Sequence, residues 1–148
     1  MAFVLDASIT ACWAFQDEDH PDAALALDQM RTEEAVVPCL WWFEVRNILV
    51  VNERRRRITE SDTAAFLLNL SRLRVRLDRL PEGDAVLRLA RTHRLSVYDA
   101  AYLELAQREG LPLATLDADL RRAAAEEGLA LLSRGGDFSV IRGESNVC

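Results

Sequence analysis

Lysine is absent from this chain: all 18 basic residues are arginine. A P-loop nucleotide site needs a Gly-Lys-Ser/Thr motif, so that class is excluded. Phosphoacceptor and haloacid-dehalogenase-type phosphotransfer domains also rely on a lysine, although they too place an acid after the first strand. Glycine is sparse, with 6 in 148 residues, and none follows the first apolar run. The turn Asp6-Ala7-Ser8 therefore lacks the glycine-rich fingerprint of a dinucleotide-binding fold. The three cysteines, Cys12, Cys39 and Cys148, are odd in number and far apart, which fits neither a disulfide framework nor a zinc cluster. Cys12 and Cys39 read as small core residues and Cys148 as exposed. The two histidines, His20 and His93, lack any evident ligand partner, and surface or helix-end positions are expected for both. No apolar stretch is long enough to span a bilayer. No basic segment precedes Phe3-Val4-Leu5, so no signal peptide is expected and the cytoplasm is the expected compartment.

What is present is a chain half hydrophobic in composition, long enough for one domain with a real core. Short apolar runs alternate with helical patterns, which predicts an α/β fold on a parallel sheet. Strands are expected at residues 2–5, 35–37, 75–77, 113–116 and 129–132. Ser8 is a plausible N-cap for a short helix through Phe15. Pro21 is well placed to open a second helix to about Thr32. A long helix should run from Pro38 to about Arg55. Thr59-Glu60-Ser61-Asp62 resembles a capping box for a helix to about Arg74. Further helices are expected after Gly83-Asp84, from Ser96 to Gly110, and from Asp119 to Glu127, with Gly110 and Gly128 as stops. The reading divides into a domain at 1–132 and a polar, Gly- and Ser-rich tail at 133–148.

Four carboxylates stand where a chain would not normally put them. Asp6 ends the first apolar run, Glu44 interrupts Leu40-Trp41-Trp42-Phe43-Glu44-Val45, Asp99 opens a helix, and Asp117 follows Leu113-Ala114-Thr115-Leu116. In open parallel sheets ligands bind outside the carboxyl ends of the strands, where Asp6 and Asp117 would project. Helix N-termini such as that of Asp99 lie at the same edge. Ionised carboxylates are costly to bury unpaired, and a divalent cation with oxygen ligands, Mg²⁺ or Mn²⁺, is the simplest compensation for several at once. Taken singly, Asp6 and Asp117 are also ordinary turn or N-cap acids, and Asp99 an ordinary capping-box acid. Glu44 is the hardest to dismiss, because its neighbours leave little solvent-facing surface. Its bland alternative is a pairing with an arginine such as Arg46. Asp119 competes with Asp117 for the fourth place, but in a first helical turn it is explained by the helix dipole alone.

Three weaker features accompany the acids. Asn47, one turn beyond Glu44, shares its helix face and would orient Glu44, contact a substrate or serve as a core-edge amide. The run Arg54-Arg55-Arg56-Arg57 complements a helix end, and its guanidinium forks also suit phosphate. The apolar stripe over residues 41–51 is wider than a surface helix needs, and reads equally as core or as a self-association face. The net charge of −6 does not exclude a nucleic-acid partner. Setting aside the four acids brings it to −2, and a bound cation offsets their share.

Together Val4-Leu5-Asp6-Ala7-Ser8, Glu44-Val45-Arg46-Asn47, Ser96-Val97-Tyr98-Asp99-Ala100-Ala101-Tyr102 and Leu113-Ala114-Thr115-Leu116-Asp117-Ala118-Asp119-Leu120 resemble the PIN-domain family. Within it they resemble the VapC-type toxins of toxin–antitoxin pairs. No single piece is specific, but their order and spacing over residues 2–132 are. The resemblance implies a PIN-like three-layer sandwich with a central parallel sheet flanked by helices. It implies a Mg²⁺- or Mn²⁺-dependent endoribonuclease, a homodimer, and a cognate antitoxin whose tail covers the acidic site. The family's acids map to Asp6, Glu44, Asp99 and Asp117, with Thr115 at the place of a hydroxyl preceding the last acid. Asp6 and Asp99 are then expected as main metal ligands, Glu44 and Asp117 as water-mediated ligands or water-positioning groups, and Arg54 to Arg57 as contacts to RNA. The competing expectation is a non-catalytic PIN-like module that binds RNA or a partner.

Overall fold

The computed structural model describes residues 1–132. The tail predicted at 133–148 lies outside the described residues. Four parallel strands form one sheet: β1 (Phe3–Leu5), β2 (Ala35–Val37), β3 (Val75–Leu77) and β4 (Leu113–Ala114), in the order β3-β2-β1-β4. The register pairs Phe3 with Ala35, Val4 with Leu113 and Ala35 with Val75. Strands β1, β2 and β4 are buried along their length, as expected where helices cover both faces of a parallel sheet. Edge strand β3 is more exposed and tolerates Arg76, which pairs with Glu34.

Seven helices among the described residues flank the sheet: α1 (Ala7–Ala14), α2 (Pro21–Gln29), α3 (Cys39–Arg54), α4 (Glu60–Ser71), α5 (Gly83–His93), α6 (Val97–Glu109) and α7 (Ala118–Glu126). The strand order runs one way from β1 through β2 to β3, then reverses to β4. Right-handed crossovers therefore place α1–α4 on one face and α5–α7 on the other. The reversal opens a topological switch point between β1 and β4. Helix α6 lines the core: Ala100 through Ala106 are all buried. Phe3, Leu5, Ile9, Leu49 and Leu103 are among the largest fully buried side chains, each contributing about 1.5–3 kcal/mol. No helix among the described residues is long and apolar enough to cross a membrane.

Local signals explain most boundaries. Thr59 and Asp62 form the reciprocal capping box of α4. His20 caps α2 by accepting from the Asp22 N–H, with Pro21 behind it as the first helical residue. Gly110 and Gly128, the predicted stops, have φ of 64° and 72°, a left-handed conformation that favours glycine.

Several boundaries differ from expectation. Helix α1 begins at Ala7 with Asp6 at the N-cap position, so Ser8 is inside the helix and its hydroxyl does not cap it. Helix α4 stops at Ser71, short of Arg74. Strand β4 keeps two residues, because the Leu116 and Asp117 N–H groups donate to the side chains of Ser8 and Thr115. The expected last strand at 129–132 is reduced to one bridge from Leu131 to Leu113. His93 ends α5 as expected but is buried, with Nδ1 2.9 Å from Glu126 Oε2. Cys12 and Cys39 lie half-buried at the edge of the core.

Candidate active site

Asp6 leaves β1 into the first turn of α1 at the switch point, and it is buried. Because its carboxylate does not cap α1, it is available for other partners. Its Oδ2 accepts from Thr115 Oγ1 at 2.6 Å and from Ser8 Oγ at 2.8 Å. Thr115 arrives from the end of β4 and Ser8 from α1, so two hydroxyls from separate elements fix one carboxylate. Burial raises the Asp6 pKa, opposed by these hydrogen bonds and reinforced by the charge of Asp117.

Glu44 sits on α3, half-buried. Its Oε1 accepts from the Tyr102 hydroxyl of α6 at 2.7 Å. Burial first, then the charges of Asp6 and Asp99, push its pKa up to about 7. The alternative pairing with Arg46 does not form: that guanidinium lies 3.8 Å over the Trp42 ring and donates to the Trp42 carbonyl. Tyr102 is fully buried, and burial together with Asp6 and Glu44 raises its pKa. It therefore stays protonated and acts as a donor.

Asp99 lies in the first turn of α6. Its N–H donates to Ser96 Oγ at 3.1 Å, the capping half of the predicted box. Burial, then Asp117 and Asp6, raise its carboxyl pKa. Asp117 is the N-cap of α7, accepting from the Leu120 N–H at 2.9 Å. Asp119 is exposed and paired with Arg122 one turn on, while its charge still reaches Asp99; of the two acids, Asp117 is the one that also acts on Asp6.

The four sequence-derived acids thus act on one another electrostatically: Asp6 with Asp117 and Glu44, and Asp99 with Asp6, Asp117 and Glu44. None of them is in a salt bridge with an arginine among the described residues. Also among the described residues, no group of three or more acids, histidines or cysteines is placed so as to hold a metal ion. The chemistry of the four acids, oxygen donors whose charges raise the pKa of Glu44 and Asp99 with no cationic partner among the described residues, is nevertheless the kind a hard divalent ion takes. Asn47 is exposed beside Glu44 and lines the same cleft as Asp99.

The arginine run divides. Arg57 donates to Asn52, Asp17 and Glu18 and lies 4.6 Å over the Phe15 ring, clamping the acidic loop before α2. Arg54, Arg55 and Arg56 are exposed, about 15 Å along α3 from Glu44 by helical rise. The apolar stripe also divides: Trp41, Val45 and Leu49 are core, while Trp42, Phe43 and Val50 are exposed.

Sequence reasoning missed Tyr102 and the true task of Ser8. Tyr102 had a signal, since it follows Asp99 by three residues and shares its helix face, and a buried phenol needs a polar partner. Ser8 had none for its bond to the Leu116 N–H, which lies 108 positions away, although its bond to Asp6 is local.

No curated protein matches the chain. Among solved structures it is similar to PAE2754 from Pyrobaculum aerophilum, with a TM-score of 0.67 and 23% identity over 83% of this chain and 84% of that one. It is also similar to VapC20 from Mycobacterium tuberculosis, a sarcin–ricin loop cleaving toxin, with a TM-score of 0.54 and 16% identity over 82% and 94% of the two chains. These likenesses concern the fold. The family model of the PIN domain matches residues 3–126, from the first residue of β1 to the last of α7, and the chain belongs to the PIN-domain family.

Proposed function

We propose that this protein is a Mg²⁺- or Mn²⁺-dependent endoribonuclease, the VapC-type toxin of a toxin–antitoxin pair. The observation that carries this reading is the group of carboxylates at the switch point that raise one another's pKa, with no arginine partner among the described residues. Residues 1–132 are the proposed nuclease unit, followed by the polar tail at 133–148. A homodimer, a cognate antitoxin covering the acids and a cytoplasmic location belong to the same reading.

In this mechanism Asp6 and Asp99 would hold the divalent ion, and Glu44 and Asp117 would ligate it through water or position the attacking water. Such an ion, when bound, activates a water molecule and neutralises charge developing on the scissile phosphate. The protein's own groups supply positioning. Thr115 and Ser8 fix the rotamer of Asp6, and Tyr102 fixes that of Glu44, which orients the attacking water. Asn47 faces the substrate from the next turn of α3. Arg54, Arg55 and Arg56 grip neighbouring phosphates, while Arg57 is already committed to Asp17 and Glu18.

The test is cleavage of a mixed pool of structured RNAs by purified protein with Mg²⁺, Mn²⁺ or EDTA, beside Asp6→Asn. Metal-dependent cutting that disappears in the variant is the expected result. RNA binding by folded protein with no cutting under any metal would instead identify a non-catalytic binding module.

A further inference from the structure

Beside the carboxylates lies an open cleft of about 510 Å³, and its walls carry two aromatic rings that the core does not use. Phe43 precedes Glu44 on α3, Tyr98 precedes Asp99 on α6, and each is 68% exposed. Singly exposed apolar residues need no explanation, but these two rings line the same cleft as Glu44 and Asp99, so both are available to whatever meets those acids. Phe43 is also braced. Trp42 packs edge-on against it with centroids 4.9 Å apart, and Arg46 stacks on the far side of that pair over Trp42. Such bracing lowers the entropy lost when a ligand meets the ring.

Glu44, Asp99 and Asn47 line the same cleft, so a group seated between the rings has its next chemical unit at the acids. A nucleotide has this shape: a flat heterocycle joined through a sugar to a phosphate. Stacking on aromatic side chains is open to every base, because each has a π-face. The Asn47 amide offers a donor and an acceptor side by side, the pattern that meets a base edge. Two turns of protein helix, about 10 Å across and 11 Å long, occupy more volume than the cleft provides.

We propose that Phe43 and Tyr98 clamp one unpaired nucleobase of a single-stranded RNA segment, with Asn47 meeting its edge and the adjoining phosphate directed to Glu44 and Asp99. The inference rests on the nuclease reading and specifies its substrate: a base paired in a duplex cannot enter, so cuts fall in loops and single strands.

A short single-stranded RNA carrying 2-aminopurine reports stacking by loss of fluorescence. Titration with the full chain in EDTA should quench the probe. Phe43→Ala and Tyr98→Ala should each weaken binding about tenfold and reduce the quenching. Tyr98→Phe should retain both, and Phe43→Leu should retain the fold without the stacking. Cleavage of the RNA pool with Mg²⁺ is measured on the same samples. Metal-dependent cleavage combined with unchanged quenching in Phe43→Ala and Tyr98→Ala overturns the clamp and leaves the nuclease standing. Quenching that depends on both rings, in a protein that cuts no RNA, supports the clamp and overturns the nuclease. Unchanged RNA binding in variants that lose a protein partner assigns the cleft to that partner and overturns the clamp.

Discussion

Helix α6 carries two buried or half-buried acids with opposite surroundings. Glu104, in its middle, accepts from the Arg108 guanidinium at 2.8 Å, and Arg108 also pairs with Asp78. The backbone N–H of Glu82 donates to the same carboxylate. Asp99, five residues earlier, feels the charges of Asp117, Asp6 and Asp119 and acts in turn on Glu44, with no cationic partner among the described residues. One acid ties the β3–α5 connection to the core. The other is held among like charges at the sheet edge. Among the described residues no arginine pairs with this edge, and the self-repulsion left there lowers the stability of the fold.

The largest effect should come from the uncompensated acid. Asp99→Asn should reduce RNA cleavage at least a hundredfold, more than loss of an outer-shell group around a metal, while thermal stability stays level or rises. A variant that cuts RNA normally would remove Asp99 from the site. Arg108→Met should do the reverse. Leaving Glu104 without its cation should cost about 3 kcal/mol in a denaturant titration, with cleavage per folded molecule retained. If the two variants behave alike, the distinction between paired and unpaired acid is wrong.

A smaller effect should appear in the pH dependence of stability in EDTA. The folded pKa of Glu44, about 7, lies above its ordinary value of 4.5, so the folded state binds this proton more tightly. The contribution of Glu44 to stability is therefore fully present below about 4.5 and is lost as pH rises through about 7. Glu44→Gln should flatten that slope, and added Mg²⁺ should restore stability at pH 8. A melting curve independent of pH in the wild type would contradict this. Tyr102→Phe, which removes only the donor to Glu44, should lower cleavage about tenfold with little change in fold. Asp119→Asn should be the mildest, changing stability by less than about 0.5 kcal/mol and leaving cleavage intact.

The legible and illegible parts of the site follow from the range of the interactions involved. Asp6, Glu44, Asp99 and Asp117 stand out because a carboxylate next to an apolar run conflicts with its neighbours in sequence. The capping box at Thr59 and Asp62, and the stops at Gly110 and Gly128, are likewise local, and they appear where expected. The short β4 is not legible in that way. Its pattern, Leu113-Ala114-Thr115-Leu116, reads as four strand residues, but Ser8 and Thr115 take up the N–H groups that would continue it. His93 reads as a surface or helix-end residue, and it does end α5, but its burial against Glu126 and Glu127 at the C-terminal end of α7 is not legible in the sequence.

Sequence alone therefore determined the parallel α/β order of β1 to β4, the capping box at Thr59 and Asp62 and the helix stops at Gly110 and Gly128, because each depends on residues within a few positions of one another. Tertiary structure alone decided which partner each acid meets. It gave Thr115 and Ser8 to Asp6 and Tyr102 to Glu44, and it separated Arg57 from the rest of its run. It also left Phe43 and Tyr98 facing one cleft. The physical reason is distance along the chain: Thr115–Asp6, Tyr102–Glu44 and Arg57–Asp17 join residues 109, 58 and 40 positions apart, and the reversal of strand order at β4 brings Thr115 beside Asp6.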